Sequence, residues 1–155
     1  MTMGAKALFV DANVLIYSTY PASPFHQAAT KALRDTQDQG IERTISTQVL
    51  REFYGFATRP GEDGSIPDLA LTMQSIQSFR RSFRVLDDDR YVSARLFDEV
   101  VYHTHVGGRQ VHDANIVATM LTYGVTHLLT NNPGHFTRFA DLITIIPLIW
   151  MKDLS

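Results

Sequence analysis

Short, wholly apolar runs alternate with amphipathic stretches along the chain, and no other feature restricts the fold as much. Ala7-Leu8-Phe9-Val10 is too short for a core helix and has no polar face, so it reads as a strand buried on both sides. Further strands are expected at 43–46, 84–86, 126–129 and 142–146. Helical spacing fills the intervals. A short helical segment is expected at 14–17; Ser23-Pro24 supplies the cap and first residue of another helix, which Gly40 closes. The segment 47–57 sets Val49, Leu50, Phe53 and Ala57 on one face. Residues 59–66 mix Pro, Gly and acids as a loop does. Pro67 then restarts a helix in which Leu69, Met73, Ile76, Phe79 and Phe83 step by three and four. A helix over 89–101 carries Val92, Leu96 and Val100, Gly107-Gly108 interrupts the chain, and a last helix runs over 113–123 to Gly124. This order predicts a three-layer α/β/α domain with helices around a five-stranded parallel sheet. The 155 residues suffice to give one domain, spanning 1–155, a real core.

Composition removes several function classes. The chain has no cysteine, which excludes disulfides, zinc–thiolate sites and cysteine nucleophiles. The apolar run before Asp11 is too short for a secretory h-region, and that around 143–150 falls well below the ~20 residues of a membrane helix. A soluble, cytoplasmic protein is expected. The net charge of -2 does not advertise a nucleic-acid binder. Lys6, Lys31 and Lys152 are the only lysines, however, and the arginines that make up the other cations grip phosphate in a planar fork.

Four segments carry chemistry. In Phe9-Val10-Asp11-Ala12-Asn13 a buried strand ends in a carboxylate, at the end of an α/β sheet where ligands bind. Asn13 is placed to orient it; the plainer reading is that Asp11 caps the next turn. In Gln48-Val49-Leu50-Arg51-Glu52-Phe53, Glu52 borders the apolar face, where a carboxylate needs a partner: a metal ion, or a cation such as Arg51. In His112-Asp113-Ala114-Asn115, Asp113 opens a helix, either as a site acid or as a simple cap. In Leu129-Thr130-Asn131-Asn132-Pro133-Gly134-His135-Phe136, Thr130 and Asn132 offer neutral oxygens and amides, or form an ordinary Asn-Pro-Gly turn. Three carboxylates brought together must take up protons or a cation, since two charges ~4 Å apart repel by about 4 kcal/mol at an effective dielectric near 20. An all-oxygen ligand set favours Mg²⁺ or Mn²⁺ over zinc.

Taken in order, these segments resemble the motifs of the PIN-domain nucleases, and within them the bacterial VapC-type toxins. Phe9-Val10-Asp11-Ala12-Asn13-Val14-Leu15 is similar to the family's opening motif and Glu52 to its helix glutamate. Arg109-Gln110-Val111-His112-Asp113-Ala114 is similar to its third acidic motif, and the stretch from Thr130 to Phe136 to its closing one. The resemblance implies strand order 3-2-1-4-5, with Mg²⁺ or Mn²⁺ on Asp11, Glu52 and Asp113. It implies Asn132 as a fourth catalytic position, and Asn13 and Thr130 orienting ligands or water. It also implies endoribonuclease activity on tRNA or ribosomal RNA, a cognate antitoxin and a homodimer. The family commonly has a carboxylate where this chain has Asn132, which weakens a second metal position. Arg51, Arg59 and Arg109, near the motifs, are candidate RNA contacts.

Two rival readings compete with this one. An aspartyl phosphatase would want Asp in place of Asn13 and a later Lys, but no lysine stands between Lys31 and Lys152. A catalytically weak RNA-binding PIN module is favoured by Asn132 alone. His103 and His105, two apart, do not share a helix face and are not expected to be ligands. His112 is expected to pack at its helix start, and His135 to close the turn. Met73, Ile76 and Phe79 are expected in the core or a dimer seam, the alternative being an antitoxin groove. Trp150 is expected to anchor the C-terminal tail.

Overall fold

The computed structural model describes residues 6–148, so Trp150 lies outside the described part. Five parallel strands form one sheet: β1 (Ala7–Val10), β2 (Glu42–Ser46), β3 (Arg84–Leu86), β4 (His127–Thr130) and β5 (Thr144–Pro147). Their order is β3-β2-β1-β4-β5, as the resemblance implied. The central position of β1 explains its sequence. Leu8, Phe9 and Val10 are covered on both faces, and so are Ile45 on β2 and Leu128 and Leu129 on β4.

The connections set the layers. Helices α1 (Ala12–Thr19) and α2 (His26–Asp38) link β1 to β2, and α3 (Thr47–Ala57) and α4 (Leu69–Ser82) link β2 to β3. Helix α5 covers residues 90–104, with a π-helical stretch at Leu96–Val101, and α6 is Gln110–Thr122. Helices α1 to α4 pack among themselves, and α5 packs on α6. With right-handed crossovers, the first two connections step one way along the sheet and the third steps back, so α5 and α6 lie on the opposite face from α1 to α4. The strand order reverses at β1, and there the two layers part at the carboxyl end of the sheet.

Several local expectations are corrected. Ser23-Pro24 does not cap α2: the Ser23 hydroxyl accepts from Phe25 N (3.2 Å) in a turn that precedes the helix. Pro67 likewise stays outside α4, which Asp68 caps by accepting from Ala70 N (2.9 Å) and Leu71 N (3.2 Å). Ile76, Phe79 and Phe83 are buried as expected, but Leu69 and Met73 are 53% and 43% exposed. The far half of α4 meets the core, and the near half leaves Leu69, Leu71 and Met73 exposed. Helix α6 begins at Gln110, so Asp113 sits inside its first turn and does not cap it. Thr130 belongs to β4 instead of following it.

Candidate active site

Asp11 leaves the carboxyl end of β1, and its N–H extends the ladder by one bond to Leu129 O (3.0 Å). Its side chain caps α1, with Oδ1 accepting from Ala12 N (2.8 Å). Oδ2 accepts from the Thr130 hydroxyl (2.7 Å) and from Asn13 Nδ2 (3.3 Å). The capping reading and the site reading therefore both hold: one oxygen serves the helix, and the other is aimed by β4. Thr130 is fully buried, and its oxygen also accepts from Asn13 Nδ2 (3.3 Å) and Asn132 N (3.0 Å). Asn13 Oδ1 accepts from Asn131 N (3.2 Å), which pins the closing motif to the start of α1.

Asp11, Asn13, Glu52, Asp113 and Asn132 line one cleft of 440 Å³, together with Ile16, Phe56, Arg59 and His135. The acids come from three different crossover units. Burial is the main cause that pushes the Asp11 carboxyl up to about 6; Glu52 and Asp113 push the same way, against the hydrogen bonds from Thr130 and Ala12. Asp113 is half-buried, and burial raises its pKa too. His135 pulls it down, Glu52 pushes it up, and His112 and Arg138 pull it down. Glu52 is exposed at the cleft wall.

The donor set fits a hard divalent cation in kind: carboxylates with amide and hydroxyl oxygens, and no sulfur. The three acids share the cleft without closing on one point. Among the described residues no group of three His, Asp or Glu stands tight enough to hold an ion by direct bonds alone. Asp11 and Glu52 are held by hydrogen bonds of their own, and mutual repulsion opposes closer approach of the three acids. Of the arginines picked from the sequence, Arg59 lines the cleft. Arg51 does not: it points along the groove beside Leu50, Tyr54 and Met73 and pairs with Asp88 at 3.6 Å. Arg109 is exposed just before α6 and is not part of the lining. His103 lies in the last turn of α5 and His105 just after it, and neither lines the cleft.

Sequence reasoning missed several participants. Gln48 is buried, and its Nε2 donates both to Glu52 Oε1 (2.9 Å) and to His112 O (2.9 Å). Asn115 Nδ2 donates to Gln48 Oε1 (2.8 Å) and Asp88 Oδ2 (3.0 Å). The four-residue spacing of Gln48 and Glu52 was visible, but the partners on α6 were not. His135, expected only to close a turn, faces Asp113 from the cleft wall.

A parallel sheet of this order, with acids gathered where its direction of winding reverses, defines the class: an α/β domain with an acidic cleft at the switch point. The PIN domain family model matches residues 8–142, and the chain belongs to that family of nucleases. The solved structures agree on the fold. VapBC2 from Rickettsia felis, bound to a promoter DNA fragment, superposes with TM-score 0.67 at 15% identity, covering 91% of this chain and 98% of that one. FitAcB from Neisseria gonorrhoeae gives 0.68 at 18% identity, with 92% and 98% covered. VapC20 from Mycobacterium tuberculosis, a sarcin-ricin loop cleaving toxin, gives 0.57 at 18%, with 78% and 86% covered. No curated protein matches the sequence. Among the described residues no helix is long and apolar enough to cross a membrane.

Proposed function

We propose that the chain is a metal-dependent endoribonuclease, the toxin of a VapBC-type toxin–antitoxin pair, acting on tRNA or ribosomal RNA. One observation carries this reading: a buried carboxylate, Asp11, is aimed by Thr130 into a cleft that also holds Glu52 and Asp113. Asp11, Glu52 and Asp113 would hold Mg²⁺ or Mn²⁺, partly through water, since Mg²⁺ usually keeps several of its waters. Such an ion lowers the pKa of an attacking water and stabilises charge on the phosphate.

The chain's own groups do the rest. Ala12 N, Asn13 and Thr130 keep Asp11 in one rotamer. Asn132 presents a neutral amide to the cleft, so two-metal chemistry has one carboxylate fewer than is common in the family. Arg59 sits at the cleft wall where a phosphate of the bound strand would pass. Hydrolysis in line with the departing 3′ oxygen leaves 5′-phosphate and 3′-hydroxyl ends. The domain spans 1–155 and works in the cytoplasm as a homodimer with a cognate antitoxin. The VapBC and FitAB complexes among the fold neighbours support the antitoxin.

The test is cleavage of total RNA with Mn²⁺, with chelator, and by Asp11→Asn, followed by mapping of the ends. Cleavage that stops with chelator and in the variant is expected. RNA binding without cleavage at any Mn²⁺ concentration would instead identify the RNA-binding module that Asn132 favours.

A further inference from the structure

We propose that Gln48 and Asn115 are positioning residues that fix the distance between the two exposed walls of the acidic cleft; this rests on the nuclease reading above. Glu52 stands on α3 and Asp113 on α6, in helices on opposite faces of the sheet that barely touch each other. No direct packing of one helix on the other sets the gap between these acids. The Gln48 side chain spans it. One N–H of its amide holds Glu52 Oε1, and the other holds the carbonyl of His112, the residue before Asp113. One amide group therefore grips the first wall by its carboxylate and the second by its backbone.

The amide has one workable orientation. Turned over, its oxygen would face two acceptors and its nitrogen would face the Asn115 amide donor. Asn115 enforces the choice by donating to Gln48 Oε1, and its second N–H is taken by Asp88. Asp88 is tied in turn to α3, through its N–H on Thr47 Oγ1 (3.3 Å) and through Arg51. The chain Arg51–Asp88–Asn115–Gln48–Glu52 closes a loop from α3 to α6 and back. Gln48 is 5% exposed, so its amide has no water to fall back on, and leaving it half-paired is costly. Such supports around metal-holding carboxylates are worth about 10- to 100-fold in metal affinity or activity.

The test titrates Mn²⁺ into the full-length protein and reads binding by electron paramagnetic resonance, with RNA cleavage in parallel. Gln48→Leu is expected to weaken Mn²⁺ binding about tenfold and to lower kcat, with KM for RNA unchanged. Asn115→Leu, near in size, uncharged and unable to donate, should do the same. The double variant Gln48→Leu/Asn115→Ala should cost no more than Gln48→Leu alone, because both act through one path. Thr36→Val, which removes a buried hydroxyl bond on α2 far from the cleft, is the stability control. Unchanged Mn²⁺ binding in Gln48→Leu, or losses that track melting temperature as in Thr36→Val, overturn the proposal. If the wild type neither binds Mn²⁺ nor cleaves RNA, the nuclease reading fails and the strut is decided by nuclear magnetic resonance. A Gln48 side-chain amide signal that shifts in both Glu52→Ala and Asn115→Ala supports it; one indifferent to both overturns it.

Discussion

The two sides of the cleft hold their acids in opposite ways. On the β1–β4 side, Asp11 is buried at a strand end and its oxygens are engaged by neighbours from the backbone and from the adjacent strand. On the helical side, Glu52 is exposed and Asp113 half-buried, and a side-chain amide ties their helices together. The first arrangement gives orientation at the cost of desolvation, which is why the Asp11 pKa rises to about 6. The second keeps Glu52 near water, buries Asp113 only in part, and leaves position to a removable support. A buried acid is preorganised by the sheet; an exposed one needs a strut.

Five substitutions test how far this contrast holds. Asp11→Asn should cost most, about a thousandfold or more in cleavage rate, since the cation is worth several kcal/mol of barrier. The same variant should be more stable than the wild type in chelator. The folded Asp11 pKa of about 6 stands above its ordinary 3.8, so the stability linked to its proton is full below 3.8 and lost as pH rises through 6. Urea titrations at about pH 7.5 should show Asp11→Asn more stable by on the order of 3 kcal/mol, a gain that fades as pH falls from 6 towards 3.8. Equal stability at both ends of that range would mean that the carboxylate is not desolvated, and the contrast between the two sides would dissolve.

Thr130→Val comes next, with cleavage lowered about 10- to 100-fold because Asp11 Oδ2 loses its closest donor. Rates measured at saturating Mn²⁺ check whether the loss lies in binding or in orientation. Asn132→Asp adds a carboxylate to the cleft and should tighten Mn²⁺ by about tenfold, since ligand charge tunes affinity over decades; calorimetry with Mn²⁺ reads it. Smallest is Arg59→Ala, which should weaken RNA binding and lower the salt slope by about one, whereas Arg51→Ala should leave the slope alone because Arg51 is outside the cleft.

Much of the fold was readable from single segments. Ala7-Leu8-Phe9-Val10 can be little other than a central strand, and Val92, Leu96 and Val100 are buried as their spacing requires. The misreadings are of two kinds. Ser23-Pro24 and Pro67 carry start signals that other residues answer more cheaply, Phe25 backbone in one case and Asp68 in the other. Leu69 and Met73 fit the periodicity of α4 but stay exposed, and periodicity carries no information on where a neighbouring layer ends. At the site, the residue types and the Asn13 and Thr130 supports of Asp11 were readable, and the supports between the helices were not. Gln48 and Asn115 are ordinary polar residues in their own helices, and they lie 67 residues apart in the chain.

The sequence alone determined the alternation of strands and helices, the acid at the end of β1, and a ligand set limited to oxygen and nitrogen. These follow from local rules: period, breakers and side-chain chemistry. Only the tertiary structure decided which arginine faces the cleft, that Asp113 lies within a helix turn, and that an amide bridges α3 to α6. Those facts depend on the approach of elements in different layers, and a hydrogen bond across layers leaves no periodic trace in the chain that makes it.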